Sequence, residues 1–395
     1  SILTARVQEN LSGAHLVRVF DQGDAEIERF AQVNDTVYGS SLRLATLRAL
    51  MFPFMGLMAL TSTAIALAYG GKLVALGEIQ IGDFVEINGR LMQLMWPALA
   101  MGFIISVYQR GKASLDRINQ ILSAEPEIVD GPHEAPLGGD VSVEDFSLRY
   151  GASAELSLDQ LNIKARPGQL IGIVGKSGSG KSSLLRALSR QRVGEQGNIY
   201  FDGIAAPQWH LKSLHMHMAL VPDEAFLFSS TLRSNIALGR PDASEEEIAK
   251  VVELAALSED IALFKDGLDT IVGERGITLS GGQRQRVCLA RAILMQPRVL
   301  LLDDSMSAVD AETELRILAS LKGGFESKET QENQRTIFIV SHRLAAMPDA
   351  DHIYVLHEGT VAEEGLHADL LAQDGIYADL WGRAQIKKQL GEIHD

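Results

Sequence analysis

The chain has 395 residues, enough for two or three domains, and 46% of them are hydrophobic, an ordinary share for a globular or mixed protein. Its formal net charge is −15; residues 1–139 carry 10 basic and 14 acidic groups, so most of the acidity lies in the C-terminal part. That balance argues against a nonspecific nucleic-acid binder, which needs a basic footprint, and the lone Cys288 rules out an intrachain disulfide and suits a reducing compartment for the bulk of the chain.

The sequence opens at Ser1 within a helical pattern, with no initiator Met and no signal peptide, and reads as a fragment whose N-terminal part is missing. Residues 1–48 intersperse Asp, Glu and Arg among apolar positions, the pattern of an amphipathic extension of a membrane helix. Residues 49–71 are 23 without a charge; at helical rise they extend about 35 Å, enough to cross a bilayer core. Residues 91–109 are 19 more. Arg43, Arg48, Arg110, Lys112 and Arg117 flank the two ends that share one side, while the connection at 72–82 holds one Lys and one Glu, so both ends of this hairpin are expected in the cytoplasm. Trp96-Pro97 is expected to kink the second helix, because proline removes a backbone donor. Glu86 and Arg90 have the spacing of an ion pair on one helix face, either interfacial or in a substrate path. Pro126, Pro132 and Pro136 with Gly131, Gly138 and Gly139 then mark a linker, placed at 111–139.

From 140 onward the runs become short and β-rich. The alternating VSVEDFSLRY is one strand, and the apolar LIGIV leads directly into GKSGSGKSS. That is Gly-x4-Gly-Lys-Ser, with Gly175, Gly180, Lys181 and Ser182. Glycines let backbone N–H groups, including those near Ser177, Gly178 and Ser183, close around phosphate oxygens; Lys181 adds positive charge, and the Ser182 hydroxyl can ligate Mg²⁺. A second half-site follows in VLLLD, a run apolar on both faces that ends in Asp303, another Mg²⁺ ligand. Between them lies LSGGQ, where Ser280, Gly281, Gly282 and Gln283 open a helical run; small residues at such a start expose N–H groups to an anion.

The order GKSGSGKS, LSGGQ, LLLDD, SAVD, VSH resembles the nucleotide-binding domain of ABC exporters. QENLSGAHLVRVF and the hairpin resemble the second intracellular loop and the fifth and sixth transmembrane helices of that family, which implies that four earlier helices are absent. The resemblance implies an α/β P-loop NTPase with a helical subdomain, preceded by an all-α transmembrane hairpin of the type IV exporter fold. The divisions are then 1–48 cytoplasmic helical extension, 49–110 hairpin, 111–139 linker and 140–395 ABC nucleotide-binding domain. It further implies that Tyr150 stacks on adenine, that His342 contacts the γ-phosphate, and that 307–310, with Asp310, cross to a partner subunit. Ser280 and Gly282 would cap ATP held by that partner.

Two positions depart from the family pattern. Asp304 stands where a glutamate polarises the attacking water, retracting the carboxylate by roughly one C–C bond, about 1.5 Å; general-base positioning is worth on the order of 10²–10⁴-fold. Asp223 stands where a glutamine is usual, adding charge repulsion toward the γ-phosphate unless the metal offsets it. Both fall on one half-site while LSGGQ is intact, a combination similar to the degenerate-site member of bacterial heterodimeric multidrug exporters. The implied partners are a second exporter subunit, the lipid bilayer of the inner membrane and a small amphipathic, drug-like or lipid-like substrate. A homodimeric exporter and a soluble ABC ATPase stay open as alternatives. Glu274 and Arg275 resemble a loop that senses the transport domain; His210, His215 and His217, lacking acidic or cysteine partners, read as incidental rather than metal-binding.

Overall fold

A computed structural model describes residues 2–151, 155–273, 276, 279–307, 309, 311–322, 335–341 and 344–392. The chain divides into two compact units, the first ending at Ala124 and the second starting at Glu125.

The first unit is helical: α1 (Ile2–Ser12), α2 (Ala14–Val19), α3 (Gly23–Ala75) and α4 (Ile81–Leu122). With 53 residues, α3 is about 80 Å long, far more than a bilayer needs, so one helix holds both the amphipathic extension and the charge-free span. An 18-residue window of α3 has mean hydropathy 1.8, with none of it buried. Thr61 and Thr63 donate their hydroxyls back to Leu57 O and Ala59 O, which hides polar groups on an apolar helix. The turn into α4 is fixed by Gln80 N donating to the Asp83 carboxylate at 3.1 Å. A Cβ on Gly70 would lie 2.7 Å from the Phe84 ring, so the glycine permits α3 and α4 to approach. The Glu86–Arg90 pair forms on an exposed face, with Arg90 Nε 3.0 Å from Glu86 Oε1. At the base of α3, Glu26 takes ion pairs from both Arg6 and Arg29, tying α1 to α3.

The α4 helix runs on through Pro97 as far as Leu122, so 111–122 belong to the helix rather than to a linker. The Pro/Gly-rich stretch that follows is not a free tether: Gly131 N donates to Trp209 O, His133 N to Gln208 O, and Leu137 is buried. Its backbone groups find partners in the second unit, as buried backbone must.

Among the described residues the second unit contains two sheets. Strands β1 (Val141–Arg149), β2 (Leu156–Ala165), β4 (Gln196–Phe201) and β5 (Ile204–Ala205) form an antiparallel sheet of order β2-β1-β4-β5. Strands β3 (Leu170–Gly175), β6 (Met218–Val221), β7 (Val299–Asp303), β8 (Thr336–Val340), β9 (His352–His357) and β10 (Thr360–Gly365) form the other, of order β10-β9-β3-β8-β7-β6. In this sheet β10 is antiparallel to β9 and the remaining pairings are parallel. Helices complete the unit: α5 (Lys181–Leu188), α6 (Leu211–Met216), α7 (Leu232–Ala237), α8 (Glu245–Leu254), α9 (Ser258–Leu263), α10 (Gly281–Leu294), α11 (Ala311–Lys322), α12 (His367–Ala372) and α13 (Ile376–Glu392).

The apolar strands are buried on both faces. Leu170, Val174, Leu300, Leu302, Ile337 and Ile339 enter one core with α8 and α10, while Ile171, Ile173, Val299, Leu301, Phe338 and Val340 enter the other, with β1, β2 and α5. The period-2 alternation of side chains across each strand sorts neighbouring residues into opposite cores. Because β8 lies between β3 and β7, the C-terminal end of β3 and Asp303 at the end of β7 open on the same edge, where parallel sheets place their ligands.

Candidate functional site: a phosphate cradle and a separate helix start

The loop between β3 and α5 is shaped by glycine. Gly175, Gly178 and Gly180 have φ of +151°, +80° and +101°, a region that side chains rarely adopt. A Cβ on Gly175 would lie 2.3 Å from Leu356 O, and one on Gly180 would lie 2.6 Å from Leu158 Cδ2 and 2.7 Å from Ser157 O. A Cβ on Gly178 would meet nothing within 4 Å. Two glycines thus seat the loop against the hairpins beneath it, and the third faces open space. Ser179 Oγ is buried without a hydrogen-bond partner among the described residues, an orphan that a phosphate oxygen would satisfy.

Lys181, only 6% exposed, donates from Nζ to Gly175 O at 2.9 Å and to Lys176 O at 2.8 Å. Burial pulls its pKa below that of a free lysine, against the opposing pull of Asp303 and Asp304. Ser182 Oγ donates to Asp303 Oδ1 at 3.0 Å. Burial pushes the Asp303 carboxyl above the usual carboxylate range; the Ser182 hydrogen bond and Arg186 act downward, and Asp223 and Asp304 add to the rise. Lys181, Ser182, Asp223, Asp303 and Asp304 line one open cleft of about 1050 Å³, which also receives Arg149, Ser177, Gly178, Gly180 and Ser183. The Ser182 hydroxyl and the Asp303 carboxylate, joined at 3.0 Å, with Asp223 on the same cleft wall, are oxygen donors of the kind Mg²⁺ takes, and a cation would offset the cost of burying the Asp303 charge; no group of three or more acidic, His or Cys side chains set to hold a metal occurs among the described residues.

Asp304 follows β7 with its backbone at φ +43°, a conformation that aspartate adopts more readily than most side chains, and its N–H donates to Val340 O at 3.0 Å. Buried Gln285 of α10 reaches the same loop, donating from Nε2 to Ser307 Oγ at 3.0 Å.

Ser280 caps α10. Its hydroxyl accepts from Gln283 N at 3.2 Å, and its own N–H donates to Gln283 Oε1 at 2.9 Å, a capping box. Gln283 Nε2 donates to Asp260, which also pairs with Arg286 at 2.8 Å, so the helix start is braced from α9. Gly282 is buried and Gly281 half-buried. None of Ser280, Gly281, Gly282 or Gln283 lines the cleft.

Tyr150 directly follows β1 and is not among the residues that line the cleft. Its hydroxyl lies 3.2 Å from Ser183 Oγ, and the Arg192 guanidinium stands 5.2 Å from the ring centroid. Asp310, His342, Glu274 and Arg275 lie outside the described residues, as does Ala308 in the segment 307–310. His215 Nε2 is 3.1 Å from Ser189 O and His217 Nδ1 is 2.9 Å from Ser213 O, so each ring is engaged by a carbonyl.

Sequence reasoning missed part of the cleft wall: Leu156, Ser157 and Asp159 from β2, and Glu358 and Gly359 from the β9–β10 turn. Asp159 N donates to Gly359 O at 2.8 Å, which brings the two hairpins together. The two hairpins belong to different sheets, and only the packing of one sheet against the other makes them neighbours; no local motif marks them.

Known proteins resemble the chain in both of its units. Residues 158–307 match the family described as ABC transporter, and residues 1–98 match the ABC transporter transmembrane region. The chain is 38% identical over 389 residues to the probable multidrug resistance ABC transporter ATP-binding/permease protein YheI of Bacillus subtilis, covering 98% of this chain and 64% of that protein. It is 34% identical to the multidrug resistance-like ATP-binding protein MdlA of Escherichia coli, covering 93% and 61%. A solved bacterial Atm1-family ABC exporter with ATP bound superposes with a TM-score of 0.84 at 31% identity, covering 96% of this chain and 66% of that one. The chain thus spans slightly less than two thirds of the length of these proteins. The match of the first unit to a transmembrane region sets aside the soluble ATPase alternative. By both of its domains the chain belongs to the ABC transporters, with a transmembrane region of the type IV exporter fold followed by an ABC nucleotide-binding domain.

Proposed function

We propose that the protein is one subunit of an ATP-driven exporter of the inner membrane, and that its own cleft holds ATP while its 280–283 segment completes the hydrolytic site of a second subunit. What carries the reading is the separation within one chain: Lys181, Ser182 and Asp303 share a cleft whose lining lacks Ser280 to Gln283. A helix start that lies outside its own chain's cleft lining can meet a nucleotide held by another chain.

In this scheme the loop amides and Lys181 hold the phosphates, Ser179 satisfies its orphan hydroxyl on a phosphate oxygen, and Tyr150 supports the base. Ser182, Asp303 and Asp223 would hold Mg²⁺, which when bound supplies positive charge on the phosphate oxygens. Asp304 orients water, His342 meets the γ-phosphate, and 307–310, with Asp310, face the partner. The Ser280 hydroxyl, which accepts from Gln283 N, keeps its hydrogen to donate outward. With the shorter carboxylate at 304 and an added charge at 223, hydrolysis in this cleft is slow. Closure of two such domains on ATP then reorients the membrane helices and moves a small amphipathic compound across the bilayer.

The test uses the full-length subunit. Homodimers should hydrolyse ATP slowly, and Asp304→Glu should raise the rate. In a complex with the second subunit, ATPase activity should survive Lys181→Ala in this chain and fail on Ser280→Arg. Equal loss from both substitutions, or homodimer turnover that Asp304→Glu does not improve, would favour the homodimeric exporter in which Asp304 is a competent base.

A further inference from the structure

The turn after α5 is built to hold one exposed cation against Tyr150. On one side Arg190 is anchored: its guanidinium, buried in the unit, donates to Trp209 O at 2.8 Å and Val129 O at 3.1 Å. On the other side Gly194 lies against Phe146, where a Cβ would come within 2.4 Å of the ring, and Glu195 N donates to Ser147 O at 2.8 Å. The Glu195 carboxylate is already engaged by Arg149 Nε at 3.0 Å. Arg192 stands between these fixed points, exposed and without an ion pair among the described residues, and its guanidinium rests over the Tyr150 ring at 5.2 Å from the centroid. A guanidinium at that distance is held by the quadrupole of the ring.

Tyr150 is therefore restrained twice. Its hydroxyl is tied to Ser183, the third residue of α5 and part of the cleft wall, and one face of its ring carries Arg192. We infer that Arg192 is a positioning residue for the nucleotide base: it fixes the plane of Tyr150 from one face and leaves the opposite face as the stacking platform. This rests on the reading of Tyr150 as the base support. A cation on one face also draws electron density from the ring, which favours stacking of an electron-rich purine on the other. Arg192 is not among the residues that line the cleft with Lys181 and Ser182, so its effect is expected on the base and not on the phosphates.

The experiment compares two ligands on the detergent-solubilised chain by calorimetric titration: AMP-PNP, which carries the base, and inorganic tripolyphosphate, which does not. Arg192→Ala should weaken AMP-PNP by about two- to five-fold and leave tripolyphosphate unchanged. Arg192→Lys should recover part of the loss, since a lysine can also sit on the ring. In a Tyr150→Ala background, Arg192→Ala should have no further effect. The inference is overturned if Arg192→Ala leaves AMP-PNP binding unchanged or tightens it, if it weakens both ligands equally, or if its effect persists without Tyr150. Should Tyr150→Ala itself leave AMP-PNP binding intact, it is the assignment of Tyr150 to the base that fails, and the role of Arg192 fails with it; a loss on Tyr150→Ala with none on Arg192→Ala refutes the role of Arg192 alone.

Discussion

Two glycines of the phosphate loop offer an internal comparison. Gly180→Ala places a Cβ at φ +101°, 2.6 Å from Leu158 Cδ2 and 2.7 Å from the backbone oxygen of Ser157, whereas Gly178→Ala places one at φ +80° with nothing within 4 Å. Both substitutions incur the left-handed penalty of an L-residue, about 1–2 kcal/mol. Only Gly180→Ala adds overpacking, about 1–3 kcal/mol, and the Ser157 oxygen is backbone within β2, so it yields less easily than a side-chain tip. For a domain of this size roughly 2–4 °C of Tm corresponds to 1 kcal/mol, so Gly180→Ala should melt roughly 2–12 °C below Gly178→Ala. Thermal unfolding of the nucleotide-free protein, followed by tryptophan fluorescence at a fixed scan rate, reads this through buried Trp209. Equal melting temperatures for the two variants, or a wild-type value for Gly180→Ala, would refute the steric argument.

Other outcomes follow from the same geometry. Ser280→Ala removes the hydroxyl that caps α10 and should cost about 1 kcal/mol, while Ser280→Gly should cost only a few tenths; urea titration of the pair distinguishes capping from general damage. Burial raises the Asp303 pKa above its unfolded value, so the ionised carboxylate weakens the ligand-free fold above that pKa and the penalty is relieved as pH falls through it. Asp303→Asn should therefore raise the melting temperature at pH 7.5, lose that advantage as the solution is acidified through the raised pKa, and abolish any stabilisation by added Mg²⁺. His367 has the opposite sense: burial lowers its pKa below 6.5, so the folded state holds it neutral and stability declines as pH drops below 6.5 toward the folded value. Melting curves between pH 7.5 and 5 should lose part of that slope in His367→Gln.

The chemistry-bearing strings were legible because each works through its own backbone. The spacing of Gly175, Gly180, Lys181 and Ser182 sets a loop whose amides converge, and the apolar run at β7 announces a strand buried on both faces that ends in Asp303. The charge-free span within α3 is equally local, a matter of length and composition. Pro and Gly content marks only approximately where a helix stops: α4 persists to Leu122, and the stretch after it is ordered by partners far along the chain, Trp209 and Arg190, that composition does not reveal.

By itself the sequence determined a glycine-rich loop at 175–182, a charge-free span long enough to cross a bilayer core, and a short carboxylate at position 304. Tertiary structure alone decided which residues meet. It brought Asp223, Asp303 and Asp304 to one cleft, raised the Asp303 pKa by burying it there, and laid Arg192 over Tyr150. It also kept Ser280 out of the cleft that its own chain forms. Parallel strand order and long-range pairing fix those neighbours, and a local pattern carries no information about contacts made across hundreds of residues.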